Sequence, residues 1–481
     1  MKRRVNTYFL IISILMLSFF SACQQEEDEV VEPVVTEETA DTNDTSERDL
    51  VNSWVYDVMS MYYYWNDEVV APTSAEQDPE DYFYGQLNSA DEFSYITDDY
   101  EGLVEEFSGV YTSMGYSPAF GLLSSSSEVF IVVEYVYPGS PAERAGLQRG
   151  DIILAIDGQT LNTENYYELY SQSQYTVTLG AYDETQGFSA TDTSLSLSAE
   201  VIETDPVLYK EVKTYASKTI GYLVYAEFIS GDNEEWLSSL GATLDEFAQA
   251  GVTDLVVDLR YNPGGEIDAA QYLASALAPA ATVSSEEVLV RYDYNELLES
   301  SILFYEGNDS ENLVSTLVSN GHNLNLNRVY FLTASGTASA SELLISGLDP
   351  YMDVIIIGES TVGKFYGSWV IPDTEEPARH NWAVMPIVLR YTNAVGVTDF
   401  SEGLTPDYPV EDDLLHAKAF GDASDPMLGT ALDLISGAFN ARMVSHDKPY
   451  TNLSNPRKSK KSNLLLNDTD WIEREQAPIT Y

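Results

Sequence analysis

Residues 328–364 read RVYFLTASGTASASELLISGLDPYMDVIIIGESTVGK, and their pattern decides the fold. An apolar run at 329–332 enters a turn of small residues, a helix-like segment begins at Ser339, and a second apolar run at 354–357 ends in GESTVGK. Apolar runs of this length on either side of a helical segment predict a strand, helix, strand unit with its polar residues at the turns. The helix start carries Ser339-Ala340-Ser341-Glu342, the S-x-x-E pattern in which a hydroxyl and a carboxylate satisfy free backbone N–H groups. That gives Ser339 a structural role as a cap. The same position also suits a nucleophile, because an oxyanion formed there meets unpaired N–H donors and the positive end of the helix dipole.

Such a nucleophile needs a base. The chain has four histidines (His322, His380, His416 and His446), and none lies in this stretch. Lys364 follows an apolar strand and a glycine-bearing turn, in a chain with only 23 basic residues. A lysine desolvated in such a place loses its proton readily enough to act as a base, whereas a surface lysine in a loop fits the bare motif equally well.

Three segments in order carry a more specific likeness. TASASE at 337–342, a lysine 25 positions after Ser339 inside G-x-x-x-x-G-K, and DLRYNPGG at 258–265 resemble the C-terminal-processing peptidases, the S41 family of serine proteases. The resemblance implies Ser339 as nucleophile, Lys364 as general base, and oxyanion donors from the N–H of Ala340 and from Gly264 or Gly265. It implies peptide-bond hydrolysis through an acyl-enzyme, with no metal and no organic cofactor. Many members of the family carry a glutamine four residues after the lysine; here that position is Ser368, a hydroxyl that would have to do the orienting. A related branch uses a histidine from the strand after its PDZ region, and the corresponding residues 220–225, IGYLVY, contain none. Two other classes of function compete with catalysis: a peptide-binding or chaperone-like module without turnover, which the departure at Ser368 favours, and an envelope scaffold.

Outward from this centre, residues 207–440 alternate strand and helix patterns: strands at 219–228 and 253–259, helices at 234–250 and 267–277. The alternation predicts an α/β core with a parallel-rich sheet whose strand ends carry the site. Residues 283–327 are polar and weakly patterned, and are expected to form an insertion or lid. Residues 108–206 read as short strands with turn punctuation, and GSPAERAGLQRGDIILAIDG at 139–158 resembles a PDZ domain. The resemblance implies capture of the C-terminal tails of protein or peptide substrates by strand addition. The carboxylate loop is expected at Ala119, Phe120, Gly121 and Leu122, where an ordinary turn is the competing possibility. Residues 48–107 place apolar groups at helical spacing and form a small helical N-terminal region, whose aromatic cluster at 62–65 is expected in the core.

The first 22 residues combine a basic start, an apolar stretch and small residues before Cys23, the chain's only cysteine. This is a signal-peptide pattern, and with the cysteine it resembles a bacterial lipobox, implying lipidation of Cys23 and anchoring in the cell envelope, periplasm-facing or at the cell surface; an uncleaved anchor with an incidental cysteine is the alternative. A single cysteine cannot form an intrachain disulfide. Residues 23–47 are acidic and unpatterned, as expected of a disordered tether or of a surface-export signal. Residues 441–481 carry a basic patch (Arg457, Lys458, Lys460, Lys461) and are expected to be an extended tail. The formal net charge of −55 opposes nucleic-acid binding, because phosphates are repelled.

Overall fold

Residues 220–225 are apolar throughout, which makes sense only for a strand with both faces covered. The computed structural model describes residues 41–438, 449–453 and 465–466, apart from residues 75, 76, 125, 309 and 376. The expected signal segment, Cys23 and the basic patch of the tail lie outside the described residues. Helix α1 (Asp41–Tyr62) starts inside the stretch expected to be a tether, where acidic residues favour a helix N-terminus. It turns Val51, Trp54, Val55, Val58 and Met59 inward, and these join the main hydrophobic core rather than forming one of their own. Tyr63 is fully buried beside them, and Tyr64 donates its hydroxyl to Asp293 at 2.7 Å.

The unit that resembles a PDZ domain is an antiparallel sheet of β1 (Tyr116–Leu123), β2 (Val129–Val136), β3 (Ile152–Ile156), β4 (Gln174–Asp183) and β5 (Gly187–Ser198). The short helix α2 (Tyr166–Tyr170) packs Leu169 into its core. The expected carboxylate loop at Ala119, Phe120, Gly121 and Leu122 is instead the middle of β1, paired in register with residues 129–132 of β2. Gly121 is there for space: a Cβ on it would lie 2.3 Å from the Phe130 ring, so the glycine makes room for an aromatic rather than for a ligand.

The core sheet runs β6 (Val207–Tyr215), β7 (Lys218–Tyr225), β8 (Asp254–Asp258), β9 (Arg328–Thr333), β10 (Asp353–Gly358) and β11 (Tyr408–Pro409), with only β6 antiparallel to its neighbour. Parallel strands need crossovers, and α3 (Glu235–Ala250), α4 (Ile267–Leu277) and α5 (Ala340–Leu348) supply them. The period-two alternation then divides the apolar residues. Leu223, Leu255, Val257 and Phe331 face the core that holds these helices, while Ile220, Tyr222, Val256 and Leu332 face α6 (Pro426–Ser436). Part of the stretch 283–327, expected to be an insertion or lid, is core. Val288–Tyr294 is a strand paired on both sides, with Val314–Thr316 and Ile387–Asn393, and its Leu289 and Val290 are fully buried. Beyond the core, β12 (Tyr450–Leu453) lies on the outer edge of β1.

One buried charge network joins the layers. Arg260, 2% exposed, gives bonds to Asp258 (2.7 Å), Asp412 (3.2 Å) and Asp425 (3.0 Å). Asp425 in turn caps α6 through Met427 and Leu428 N–H. Tyr261 donates to Asp412 and receives a bond from Arg149 of the β-rich unit, which also reaches Glu134 O and Lys418 O. Removing one partner of such a network leaves the others charged and dry. Arg260→Met is therefore expected to lower the free energy of unfolding by about 3–5 kcal/mol, read from urea denaturation at neutral pH; a change below about 1 kcal/mol would mean that the three carboxylates find other partners.

Candidate active site

Three turns meet at the C-terminal ends of β8, β9 and β10, where an open α/β sheet leaves main-chain groups available. The first, after β8, is held by Asn262, whose Nδ2 donates to Tyr225 O (3.0 Å) while its Oδ1 accepts from Gly264 N–H (2.9 Å). Gly264 has φ +110°, and a Cβ on it would lie 2.6 Å from Ser339 Cβ and 3.0 Å from Ala340 N. Only glycine fits, because the first turn presses directly on the second.

The second turn, after β9, is pinned to the first. Thr337 donates its hydroxyl to Leu259 O (2.8 Å), and Ala338 N–H reaches Asn262 O (3.2 Å). It delivers Ser339, fully buried, at φ +59° and ψ −114°, a conformation that a non-glycine residue holds only when its surroundings impose it. Helix α5 starts at the next residue, so the Ala340 N–H has no intrahelical acceptor.

Glu342 ties the second turn to the third. Its buried carboxylate accepts from Ser339 N–H (2.7 Å), Thr361 hydroxyl (2.5 Å), Gly363 N–H (2.6 Å) and Lys364 N–H (2.9 Å). Burial pushes this carboxyl up to about 7, against the pull of those four bonds. Because Ser339 N and Lys364 N share one oxygen, they are no more than about 5.6 Å apart. Thr361 is itself braced from outside by Leu404 N–H (2.7 Å), in the segment 399–407.

Lys364 is fully buried, and its amine has no hydrogen-bond partner among the described residues. Burial pulls it down to about 7, while the carboxylates of Asp91 and Glu342 pull the other way. The amine lies 5.4 Å from the centre of the Phe93 ring. Asp91, which accepts from Tyr63 and from the Ser94 hydroxyl, comes from the same N-terminal region. Ser368 does not orient the lysine: its hydroxyl is buried in the strand Tyr366–Ser368 and, like the amine, has no partner among the described residues. The histidines with hydrogen-bonded carboxylates are engaged elsewhere, His322 with Asp245 and His416 with Asp413.

The structure thus brings Ser339, Ala340, Gly264 and Lys364 together, and adds Glu342, Asp91 and Phe93. Glu342 was legible only as half of a helix cap. Asp91 and Phe93 carry no local signal, since they reach the lysine from more than 270 residues away in sequence. The ensemble holds a hydroxyl on a strained turn, a dry amine that loses its proton near pH 7, and at the next residue the helix-start N–H of Ala340, a combination suited to acyl transfer.

Residues 219–410 match the profile of peptidase family S41, residues 132–179 that of a PDZ domain, and residues 51–95 that of the peptidase S41 N-terminal domain. A crystal structure from Bacteroides fragilis assigned to the S41 proteases superposes with a TM-score of 0.67 at 28% identity, covering 80% of this chain and 98% of that one. The chloroplastic C-terminal processing peptidase of Tetradesmus obliquus is 26% identical over 300 residues, covering 59% of this chain and 58% of its own length. The carboxyl-terminal-processing protease of a Synechocystis strain is 25% identical over 300 residues, covering 62% and 63%. The chain therefore spans about three-fifths of the length of these two curated relatives.

An amide at position 342 offers one acceptor oxygen and an NH₂ group to four donors. In Glu342→Gln the amides of Ser339, Gly363 and Lys364 are expected to exchange with deuterium at least about tenfold faster, with β7 amides unchanged. Equal exchange in the two proteins would show that the carboxylate does not hold the turns.

Proposed function

Since the chain belongs to peptidase family S41 and carries a PDZ domain between the family's N-terminal and catalytic segments, we propose that it is a serine endopeptidase working through Ser339 and Lys364. The observation that carries this reading is the buried amine of Lys364, without a partner among the described residues, whose main chain shares a carboxylate with that of Ser339. In the proposed reaction the neutral amine takes the proton from Ser339 Oγ as that oxygen attacks the scissile carbonyl. The C–N bond then breaks, the lysine passes its proton to the departing amine, and water activated by the same amine releases the acyl group. With Nζ free of partners among the described residues, a bound substrate would bring it onto Ser339 Oγ, as catalytic bonds often tighten only in the complex.

The oxyanion would be held by Ala340 N–H and a second donor from the glycine turn. Gly264 already gives its N–H to Asn262, which favours Gly265 for that role. Substrates would be proteins or peptides with extended C-terminal tails, added as a strand to the PDZ unit. Lipidation at Cys23 would place the enzyme in the bacterial envelope. Among the described residues no helix is long and apolar enough to cross a membrane, so a tether there would have to come from outside them.

Ser339→Ala and Lys364→Ala are each expected to reduce cleavage of an unfolded protein by at least about 10³-fold, measured as release of acid-soluble peptides. Unchanged turnover in Lys364→Ala would pass the base role to a histidine, and no turnover in the wild type would leave a peptide-binding module. Because burial lowers the lysine to about 7, the neutral form grows as pH rises through that value. The pH profile of kcat/KM should therefore climb with a midpoint near 7 and level off above it, whereas an ordinary lysine would keep it climbing towards about 10.4.

A further inference from the structure

The outer edge of β1 is already occupied by this chain. β12 runs antiparallel along it, with Tyr450 opposite Leu123, Thr451 opposite Leu122, Asn452 opposite Gly121 and Leu453 opposite Phe120. Ser124 N–H donates to Pro449 O at 3.1 Å, which sets the phase of the ladder. In an antiparallel pair the bonded positions alternate, so Thr451 and Leu453 are the residues that exchange bonds with Leu122 and Phe120. The side chains are seated as well. Tyr450 is buried with its ring 5.1 Å from that of Phe130, while Leu453 packs on the opposite face, in the cluster that includes Phe120 and Tyr166 and Tyr170 of α2.

The direction is the informative part. From Tyr450 to Leu453 the segment advances from the Leu123 end of β1 towards its Tyr116 end, where the turn at Gly115 precedes the strand. An extended peptide added to this edge, with its C-terminus pointing at that turn, would lie the same way. Further along the chain, the backbone of Leu465 and Leu466 pairs in parallel with Gly265 and Glu266, next to the turn that presses on Ser339. Two short pieces of one tail thus lie against the two places where a peptide substrate is expected.

We propose that the C-terminal segment is an internal peptide ligand: residues 450–453 fill the strand-addition edge of the PDZ unit, and a substrate tail gains that edge by displacing them. This rests on the peptide-capture role of that unit given above. Displacement makes the apparent affinity for a substrate tail the intrinsic one reduced by the fraction of molecules whose edge is open. It favours tails that out-compete Pro449-Tyr450-Thr451-Asn452-Leu453, with an aromatic to set against Phe130 and an aliphatic residue three places on to enter the α2 cluster.

The test compares the full chain with its Thr451→Pro/Leu453→Pro variant, which lacks the two N–H donors that face β1. The probe is a fluorescein-labelled peptide of residues 449–453 with a free carboxylate, followed by fluorescence polarisation. The variant is expected to bind it at least about tenfold more tightly than the wild type, and to cleave an unfolded protein with a KM lowered several-fold while kcat on a short peptide is unchanged. Equal peptide affinity in the two proteins overturns the inference. Should the variant not fold, the wild type alone decides: excess unlabelled peptide must speed deuterium exchange at the Thr451 and Leu453 amides, and unchanged exchange overturns the inference too. Polarisation needs no turnover, so a protein without peptidase activity still tests this edge, and an active one with equal affinities loses this inference alone.

Discussion

One carboxylate holds the site together. Glu342 sits at the start of α5 with no exposure, and four donors from two separate turns converge on its two oxygens. That shared acceptor adds to the bonds that already pin each turn, Thr337 to Leu259 O in the serine turn and Val362 N–H to Thr337 O in the loop after β10, and among the described residues it alone joins the main chains of Ser339 and Lys364. The burial that makes these bonds strong also raises the group's own proton affinity, so the arrangement works only because all four donors are present. The positive-φ glycine on the other side completes the clamp, since Gly264 approaches Ser339 more closely than any side chain would permit.

The lysine pocket depends on a different part of the chain. Its dryness comes from the main core, to which α1 and the aromatic residues after it contribute, and Phe93 and Asp91 arrive from the same region. The N-terminal segment is thus part of the site's dielectric environment. α1 shares the core of the segment that carries Ser339 and Lys364, and a helix that packed by itself would leave the amine open to water.

Much of this was legible in the sequence. Strand, helix, strand around 328–364 and the α/β alternation follow from local patterns, whereas the grouping of Ser339, Lys364 and the glycine turn was expected only from the resemblance carried by the three motifs. What was not legible depends on tertiary partners. Val288–Tyr294 looked like part of a lid because polar loops flank it, yet two neighbouring strands make it core. Gly121 looked like a place for a ligand because a glycine suggests close approach, and the approaching group is Phe130. Ser368 stood where an orienting side chain was expected, but its strand carries the hydroxyl into the interior without a bond to the amine. The pairing of residues 450–453 with β1 spans more than 320 positions, and no periodicity announces it.

The central claim is that burial lets the lysine at position 364 give up its proton near neutral pH, beside a serine with whose main chain its own shares a carboxylate. Titration of the side-chain ε signal of Lys364 by NMR, in the folded Ser339→Ala protein and assigned by its absence in the Lys364→Arg variant, tests it most directly. The account predicts a midpoint near 7 for this lysine. A midpoint in the usual lysine range, about 10.4, would contradict it, because the amine would then be protonated whenever a substrate arrived.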